Sequence, residues 1–367
     1  MRPIIAAALI LLLAHVGLLP AQTPEKIEPY KPMPSTAIVL TGASQGSGFL
    51  VDRANGLMLT NFHVAQPGQN VQVMFPAWSA DGMVLARKKY YAENAKRIKG
   101  KCVAADPKVD LALLQIESVP PEVPPIKLAD VPPRVGEKAH LLGNPGNNDQ
   151  VWVYGFGKVK SVNKAVMDFG KLRVEAKSVL LTTEDRRIGP GASGGPVVND
   201  NGELVGVIQS GPADSREVCC IETSEVRGFL GACYRRQAAA ATSQKDYNRA
   251  IALCGQAIAI NADDAVAYHE RANAYSFQTR YDEAVADYSA ALKINPTLSR
   301  TWRSRGSANY FLGKYDRAVE DCTAAIKLDP KYAQAYLSRS KAQEKLGQTA
   351  AAAADRETAV KLDPGLK

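Results

Sequence analysis

A serine set among glycines is the side chain of this sequence best suited to nucleophilic chemistry. Ser193 lies in the run Gly189-Pro190-Gly191-Ala192-Ser193-Gly194-Gly195-Pro196. Residues with little or no side chain let the backbone bend sharply and let amide N–H groups face a reacting carbonyl. The alternative is an ordinary Gly/Pro turn between two strands. Because a serine hydroxyl is a poor nucleophile without a base, the choice depends on a histidine placed to take its proton.

Among the four histidines of the chain, one is a good candidate for that base. His15 lies in an apolar leader, His140 in a strand-like run and His269 in a helical repeat. His63 follows the apolar stretch Leu57-Met58-Leu59-Thr60, which predicts a strand whose end presents the imidazole at a rim. A histidine satisfied inside the core is the alternative, and an acid in a suitable place weighs against it.

The acid that would orient the imidazole stands at the head of an apolar strand. Asp110 directly precedes Leu111-Ala112-Leu113-Leu114-Gln115-Ile116. A carboxylate left unpaired there would be costly, whereas one that holds an imidazole fixes its tautomer and stabilises the imidazolium. Asp106 ranks second, because its place before Pro107 is typical of a turn residue.

The order His63, Asp110, Ser193 favours the chymotrypsin arrangement over the subtilisin and α/β-hydrolase arrangements. The motifs T-N-x-H-V, D-L-A-L-L, G-N-P and G-x-S-G-G-P, each in its expected place, resemble the HtrA/Deg-type trypsin-like serine proteases over roughly residues 37–230. Two departures are Ala192, where many relatives carry Asp or Asn, and a helical tail in place of a PDZ domain.

The resemblance implies roles for individual residues. His63 would act as general base and then acid, Asp110 as its orienting carboxylate, and Ser193 as the nucleophile, with the amides of Gly191 and Ser193 forming the oxyanion hole. It also implies a substrate pocket, in which no acid stands to select basic residues, so we expect small or medium apolar side chains at the cut. The pocket residues are Arg187, Ile188, Gln209, Ser210 and Gly211.

Short apolar strands broken by Gly, Pro, Asn and Asp run from Ala37 to about Ile221. This pattern predicts a closed all-β architecture, which the resemblance specifies as a double barrel. The proline-rich segment 119–133 would cross between the barrels, leaving His63 and Asp110 on the first and Ser193 on the second.

After Thr223 the apolar period becomes that of helices, and a 34-residue repeat appears. Small, aromatic and proline positions recur in register, as in Asn295-Pro296, Asp329-Pro330 and Asp363-Pro364. This is the tetratricopeptide repeat signature, so the fold class is an all-β double barrel followed by an all-α solenoid. We assign repeats to 265–298, 299–332 and 333–366, after a divergent one at 231–264.

Two further predictions come from the repeat. Arginines at 271, 305 and 339 and aspartates at 287, 321 and 355 recur on first and second helices, which predicts a structural ladder of ion pairs, with a ligand-reading row of arginines as the alternative. The concave face of first helices would bind a protein partner that the sequence does not identify. Its candidate lining residues, each with helix packing as the alternative role, are His269, Asn273, Arg303, Ser307, Leu337 and Lys341.

The first 21 residues have the pattern of a secretory signal: Arg2, an apolar run over 4–19, and a small residue at Ala21. Cleavage would leave a periplasmic or secreted chain that begins with a flexible linker over 22–36. The alternative is an uncleaved anchor facing outside the cytoplasm, and only then would the protein contact a membrane.

Composition and cysteine spacing restrict the remaining possibilities. The chain carries a net charge of +8 and a basic segment at 87–101, read as a solvated hairpin, but no nucleic-acid-binding module accompanies them. No Cys/His spacing indicates a metal, and no cofactor is expected. Cys254 and Cys322 fall at repeat core positions, where a small buried thiol is expected. One disulfide could form among the other four cysteines, and the spacing does not identify the pair: Cys102, Cys219, Cys220 and Cys233.

The sequence therefore supports two functions. The favoured one is an exported serine endopeptidase, acting on protein or peptide substrates, whose repeats bind a partner. The alternative is a non-catalytic repeat scaffold that carries a relic protease barrel.

Overall fold

The computed structural model describes residues 26–27, 30, 33–42, 44–145, 149–169, 172–183, 188, 191–210 and 216–366. The chain divides into two compact units, Met1–Thr223 and Ser224–Lys367. The leader assigned to residues 1–21 lies outside the described residues.

The N-terminal half of the first unit forms a closed six-stranded antiparallel barrel. Its strands pair in the order β2-β3-β4-β8-β7-β5, and β1 pairs with β6 outside it. Leu50, Met58 and Leu114 are fully buried in its core, as expected for apolar side chains on the inward face of alternating strands. The elements are β1 (Lys26–Ile27), β2 (Thr36–Leu40), β3 (Gln45–Asp52), β4 (Leu57–Thr60), β5 (Asn70–Met74), β6 (Val84–Leu85), helix α1 (Lys88–Asn94), β7 (Ile98–Asp106) and β8 (Leu111–Ile116).

The second half of this unit forms another closed antiparallel barrel of six strands, in the order β10-β11-β14-β13-β12-β9. Leu141, Leu181 and Val197 are fully buried in its core. The predicted double barrel is thereby confirmed. The strands are β9 (Lys138–Gly143), β10 (Val153–Phe169), β11 (Leu172–Thr183), β12 (Pro196–Val198), β13 (Leu204–Ser210) and β14 (Glu217–Glu222).

The proline-rich segment between β8 and β9 is bonded to both barrels. The amide of Ile126 donates to the Leu50 carbonyl at 2.8 Å, and the amide of Ala129 donates to the Leu204 carbonyl at 2.9 Å. Since Leu50 lies on β3 and Leu204 on β13, the segment makes the crossing that its prolines predicted.

Two local expectations in this unit need correction. The described part of the segment 22–36 is not a loose linker: Met33 is fully buried beside Trp152, and Tyr30 stacks on His140 with ring centroids 4.6 Å apart. The basic segment 87–101 is not a hairpin, because it forms helix α1 and the start of β7. Long-range apolar and aromatic partners override the local pattern in both cases.

The second unit consists of antiparallel helix pairs. Alanines lie where the two helices of a pair cross, and Ala284, Ala318 and Ala352 are at most 1% exposed. Helix α2 begins at Thr223, upstream of the expected repeat start at 231. The helices are α2 (Thr223–Ser243), α3 (Tyr247–Ile260), α4 (Ala265–Phe277), α5 (Tyr281–Ile294), α6 (Ser299–Phe311), α7 (Tyr315–Leu328), α8 (Ala333–Lys345) and α9 (Thr349–Leu362).

The ladder of ion pairs is confirmed. In each of the three regular repeats an arginine of the first helix lies 2.7 Å from a largely buried aspartate of the second helix. Each of these arginines therefore binds an aspartate of its own repeat, which favours the structural role over the alternative of a row of ligand-binding arginines. The pairs are Arg271–Asp287, Arg305–Asp321 and Arg339–Asp355.

Candidate active site

His63 and Asp110 form a hydrogen-bonded pair at the end of β4. Nδ1 of His63 lies 2.9 Å from Oδ2 of Asp110, and the backbone amide of His63 donates to Oδ1 at 3.1 Å. The Asp110 side chain is fully buried, whereas that of His63 is 33% exposed. With Nδ1 directed at the carboxylate, Nε2 is the ring nitrogen left to accept a proton.

The backbone of Asp110 adopts an unusual conformation to make this pair. Its φ is 56°, in the left-handed region that costs an ordinary residue about 1–2 kcal/mol. The Asp110 carbonyl accepts from the amide of Phe62 at 3.2 Å and from Nδ2 of Asn61 at 2.9 Å, which holds the strained backbone. Asp106, the second candidate, is the last residue of β7, and its side chain accepts instead from the amide of Lys108 at 2.8 Å in the turn that follows.

Ser193 sits in a tight turn that requires glycine at its neighbours. Gly191 and Gly194 have φ values of 96° and 85°. A Cβ on Gly194 would lie only 2.2 Å from the carbonyl oxygen of Ser47. The Ser193 hydroxyl donates to the carbonyl oxygen of Gln209 at 2.8 Å.

Ser47, on β3 of the first barrel, holds this turn of the second barrel in place. Its amide donates to the Ser193 carbonyl at 2.8 Å, and its hydroxyl donates to the Gly191 carbonyl at 3.1 Å. The Ser47 hydroxyl in turn accepts from the amide of Asn144 at 2.9 Å. The serine turn is therefore positioned by residues far away in sequence, which motif reading did not identify.

The backbone amides of Gly191 and Ser193 are the proposed oxyanion donors. Among the described residues, neither amide donates to a protein acceptor. Between them, Ala192 is fully buried, and a Cβ on Gly143 would lie 2.6 Å from its Cβ. Alanine at position 192, where many relatives carry Asp or Asn, is therefore packed closely against Gly143 of the G-N-P motif.

Gln209 does not line an open pocket. Its side chain is fully buried, and Nε2 donates to Oδ2 of Asp110 at 3.1 Å. An irregularity in the pairing of β13 between Ile208 and Ser210 breaks the strict alternation of faces that a strand reading assumes. In the sequence, the Gln209 side-chain amide within an otherwise apolar strand is the signal that could have predicted a polar partner at this position.

Of the other four residues assigned to the substrate pocket, the structure describes two. Ile188 is 9% exposed and packs in the core of the second barrel. The backbone of Ser210 ends β13. Arg187 and Gly211 lie outside the described residues.

Most of the candidate groove residues of the repeats come together. Asn273, Arg303, Ser307 and Lys341 line a cavity of about 730 Å³. His269 lines a neighbouring cavity of about 500 Å³, which also includes Asn273, and its Nδ1 lies 3.0 Å from Oγ1 of Thr301. Leu337 is half-buried and is absent from both linings.

Two of the four cysteines considered for a disulfide are free thiols. Cys102 and Cys220 are buried, and burial raises the pKa of Cys102 to about 11. Neither thiol is therefore an accessible nucleophile.

The part of the chain that the structure describes contains neither a candidate metal site nor a candidate membrane span. There is no cluster of three or more His, Cys, Asp or Glu side chains able to hold a metal ion. Nor does any helix there combine the length and apolar character needed to cross a bilayer.

Comparison with known proteins agrees with this architecture. Residues 46–207 match the family model of the trypsin-like peptidase domain, and residues 265–298, 299–332 and 333–366 each match a tetratricopeptide repeat model. The chain therefore carries a trypsin-like peptidase domain followed by three tetratricopeptide repeats.

Its relatives include DegP/HtrA proteases. The periplasmic serine endoprotease DegP of Salmonella typhimurium is 34% identical over 164 residues, 44% of this chain and 29% of that protein. The putative serine protease HhoA of Synechocystis is 28% identical over 174 residues, 47% of this chain and 38% of that protein. The solved active form of the Rv3671c protease from M. tuberculosis aligns at 23% identity with a TM-score of 0.42, over 54% of this chain and 80% of that chain. The chain thus spans about a third of the length of the curated relatives it matches.

Proposed function

We propose that this protein is a serine endopeptidase that cleaves protein substrates through Ser193, His63 and Asp110. The observation that carries the proposal is the buried Asp110 carboxylate 2.9 Å from Nδ1 of His63, because a carboxylate that holds Nδ1 fixes the tautomer in which Nε2 acts as the base. Ser193, presented by the glycine-rich turn, is the proposed nucleophile.

In the proposed mechanism the Ser193 hydroxyl turns from the Gln209 carbonyl towards Nε2 of His63 and attacks the scissile carbonyl carbon. His63 takes the hydroxyl proton and then gives it to the leaving amine. Asp110 stabilises the imidazolium formed between these two steps. The amides of Gly191 and Ser193 donate to the tetrahedral oxyanion, and water then hydrolyses the acyl-enzyme by the same route in reverse.

We propose that the repeat domain at 231–366 binds a protein partner or substrate through the groove of its first helices. The four clustered lining residues support this role, since a cavity lined by polar and aromatic side chains suits a peptide segment. We also propose that the chain acts outside the cytoplasm, in line with its signal-like leader and the periplasmic DegP named among its relatives.

The deciding test compares the hydrolysis of a permanently unfolded protein by the wild type and by Ser193→Ala. A working triad predicts a loss of roughly 10⁴- to 10⁶-fold. Labelling of Ser193 by an active-site phosphonate is a second readout. Equal rates and no labelling, together with capture of a partner through residues 231–367, would establish the scaffold alternative. N-terminal sequencing of the exported chain tests cleavage after Ala21, which predicts a mature protein that begins at Gln22.

A further inference from the structure

One buried residue close to the G-N-P motif has a strained backbone. Trp152 has a φ of 60°, in the left-handed region, and is only 1% exposed. Among the described residues of the two barrels, the other non-glycine residue with a positive φ is Asp110, which belongs to the proposed triad. Such conformations persist only where the surrounding structure holds them, and they concentrate at functional sites. The contacts that hold Trp152 therefore indicate what its conformation serves.

Asn144, the middle residue of the G-N-P motif, holds Trp152 and two further segments. It is fully buried. Its Oδ1 accepts from the Trp152 amide at 2.8 Å, and its Nδ2 donates to the carbonyl of Ala37, on β2, at 3.3 Å. Its own backbone amide donates to the Ser47 hydroxyl at 2.9 Å. Asn144 thus links the end of β9 to the first barrel through its side chain and through its backbone.

The bond from Asn144 determines how the Ser47 hydroxyl is used. A hydroxyl has one hydrogen, and the Asn144 amide occupies a lone pair of this hydroxyl. The hydrogen is donated to the Gly191 carbonyl at 3.1 Å. Ser47 is fully buried, so bulk water does not compete for either bond. The hydroxyl is therefore a fixed link between Asn144 and the serine turn.

Gly191 is the residue of this turn that most needs an external contact. Its φ of 96° favours glycine, and glycine has more backbone freedom than any other residue. The amide of Gly191 is a proposed oxyanion donor, and such a donor lowers the barrier when it already points to the position where charge develops. Holding the Gly191 carbonyl restricts the rotation of this residue and with it the direction of its amide.

We propose that Asn144 and Ser47 are positioning residues for the oxyanion hole, with Asn144 acting through the Ser47 hydroxyl on Gly191. This inference rests on the proposed peptidase function and adds to it a buried support that is separate from the bond between Gln209 and Asp110. The support acts on an oxyanion donor and not on the His63–Asp110 pair. Its loss should therefore slow the chemical step without changing the protonation of His63.

The test compares Ser47→Ala and Asn144→Ala, made in the full chain, with Ser178→Ala. Ser178 is the matched control, because its hydroxyl is also buried and donates to a backbone carbonyl, that of Ala176 on β11. On a peptide substrate, each of the first two variants should lower kcat by about 10- to 100-fold with KM within about twofold of the wild type. The pH of half-maximal kcat/KM should not move, and the control should keep the wild-type kcat.

A double variant shows whether the two residues act through one chain of contacts. Ser47→Ala combined with Asn144→Ala should be at most about threefold slower than the slower single variant, because both changes remove the same support. Losses that multiply would contradict the link between the two residues. If Asn144→Ala unfolds, as judged by circular dichroism, Ser47→Ala decides the question.

Hydrogen exchange gives a readout that does not depend on activity. In Ser47→Ala the peptide that spans 191–198 should exchange about 10-fold faster than in the wild type, and in Ser178→Ala it should not. Unchanged exchange in Ser47→Ala, or full kcat in that variant beside an active wild type, would overturn the inference. A folded wild type that neither hydrolyses protein nor reacts with the phosphonate would overturn the proposed function instead, and exchange would still decide whether Ser47 holds the turn.

Discussion

Gln209 contacts both ends of the proposed catalytic machinery. Its side-chain Nε2 donates to the Asp110 carboxylate at 3.1 Å, and its backbone carbonyl accepts from the Ser193 hydroxyl at 2.8 Å. The remaining side-chain oxygen, Oε1, is buried and has no hydrogen-bond partner among the residues that the structure describes. A side chain placed in this way restrains the carboxylate that orients His63, although it does not touch the reacting atoms.

Replacing Gln209 by Leu should therefore lower kcat by about 10- to 100-fold with little change in KM, because a buried carboxylate loses a donor worth roughly 1.5–3 kcal/mol. Steady-state kinetics on a peptide substrate would measure this split. Gln115→Leu, at an exposed position of β8, is the control. A rise in KM with unchanged kcat would instead support the original assignment of Gln209 to the substrate pocket.

The Asp110→Asn variant separates the chemical role of this residue from its structural one. Asparagine tolerates a left-handed backbone, so the fold at φ 56° should survive with nearly unchanged Tm. The amide cannot stabilise an imidazolium, and kcat should fall by about 10⁴-fold. Asp110→Ala should lose stability as well as activity. Substantial activity in Asp110→Asn would remove Asp110 from the proposed triad.

Gly194→Ala tests whether the serine turn depends on its contact with the first barrel. The new methyl would meet the Ser47 carbonyl at 2.2 Å and Oγ1 of Thr60 at 2.5 Å, in addition to the strain of a positive φ. Gly82→Ala is the matched control, because Gly82 has a similar φ of 79° with no atom within 4 Å. The control should lose about 1–2 kcal/mol and Gly194→Ala at least about 3 kcal/mol more. Urea unfolding of both variants measures the difference, and equal losses would contradict the contact.

Acid should destabilise the repeat domain through His269. Burial, with a smaller contribution from the nearby Arg300 charge, lowers the pKa of His269 from 6.5 to about 4. An unfolded chain takes up this proton below pH 6.5, whereas the folded chain resists it until about pH 4. The stability due to the neutral ring is therefore complete above pH 6.5 and is lost as the pH falls towards 4.

Over that range the wild type should lose up to about 3 kcal/mol more than His269→Gln, which has no proton to bind. Urea unfolding of both proteins at pH 7 and pH 4.5 gives the comparison. Parallel pH profiles for the two proteins would refute the depressed pKa.

The sequence predicted those parts of the structure that follow from local or periodic residue patterns. Turn punctuation and apolar alternation predicted a closed all-β architecture, which the family resemblance specified as a double barrel. A 34-residue period identified the repeats and the Arg305–Asp321 type of pair. The placement of Gln209 was not predictable in this way, because it depends on an irregular pairing within β13 and on the distant Asp110. The burial of Met33 likewise comes from aromatic partners that only the folded chain brings near.

Because Ser47 holds the Ser193 turn, the proposed nucleophile is oriented by a barrel to which it does not belong. A small displacement of one barrel relative to the other would turn the Ser193 hydroxyl away from the orientation that attack requires, while every strand stayed paired. Substitutions at this border that create no steric clash should consequently reduce turnover before they reduce the melting temperature.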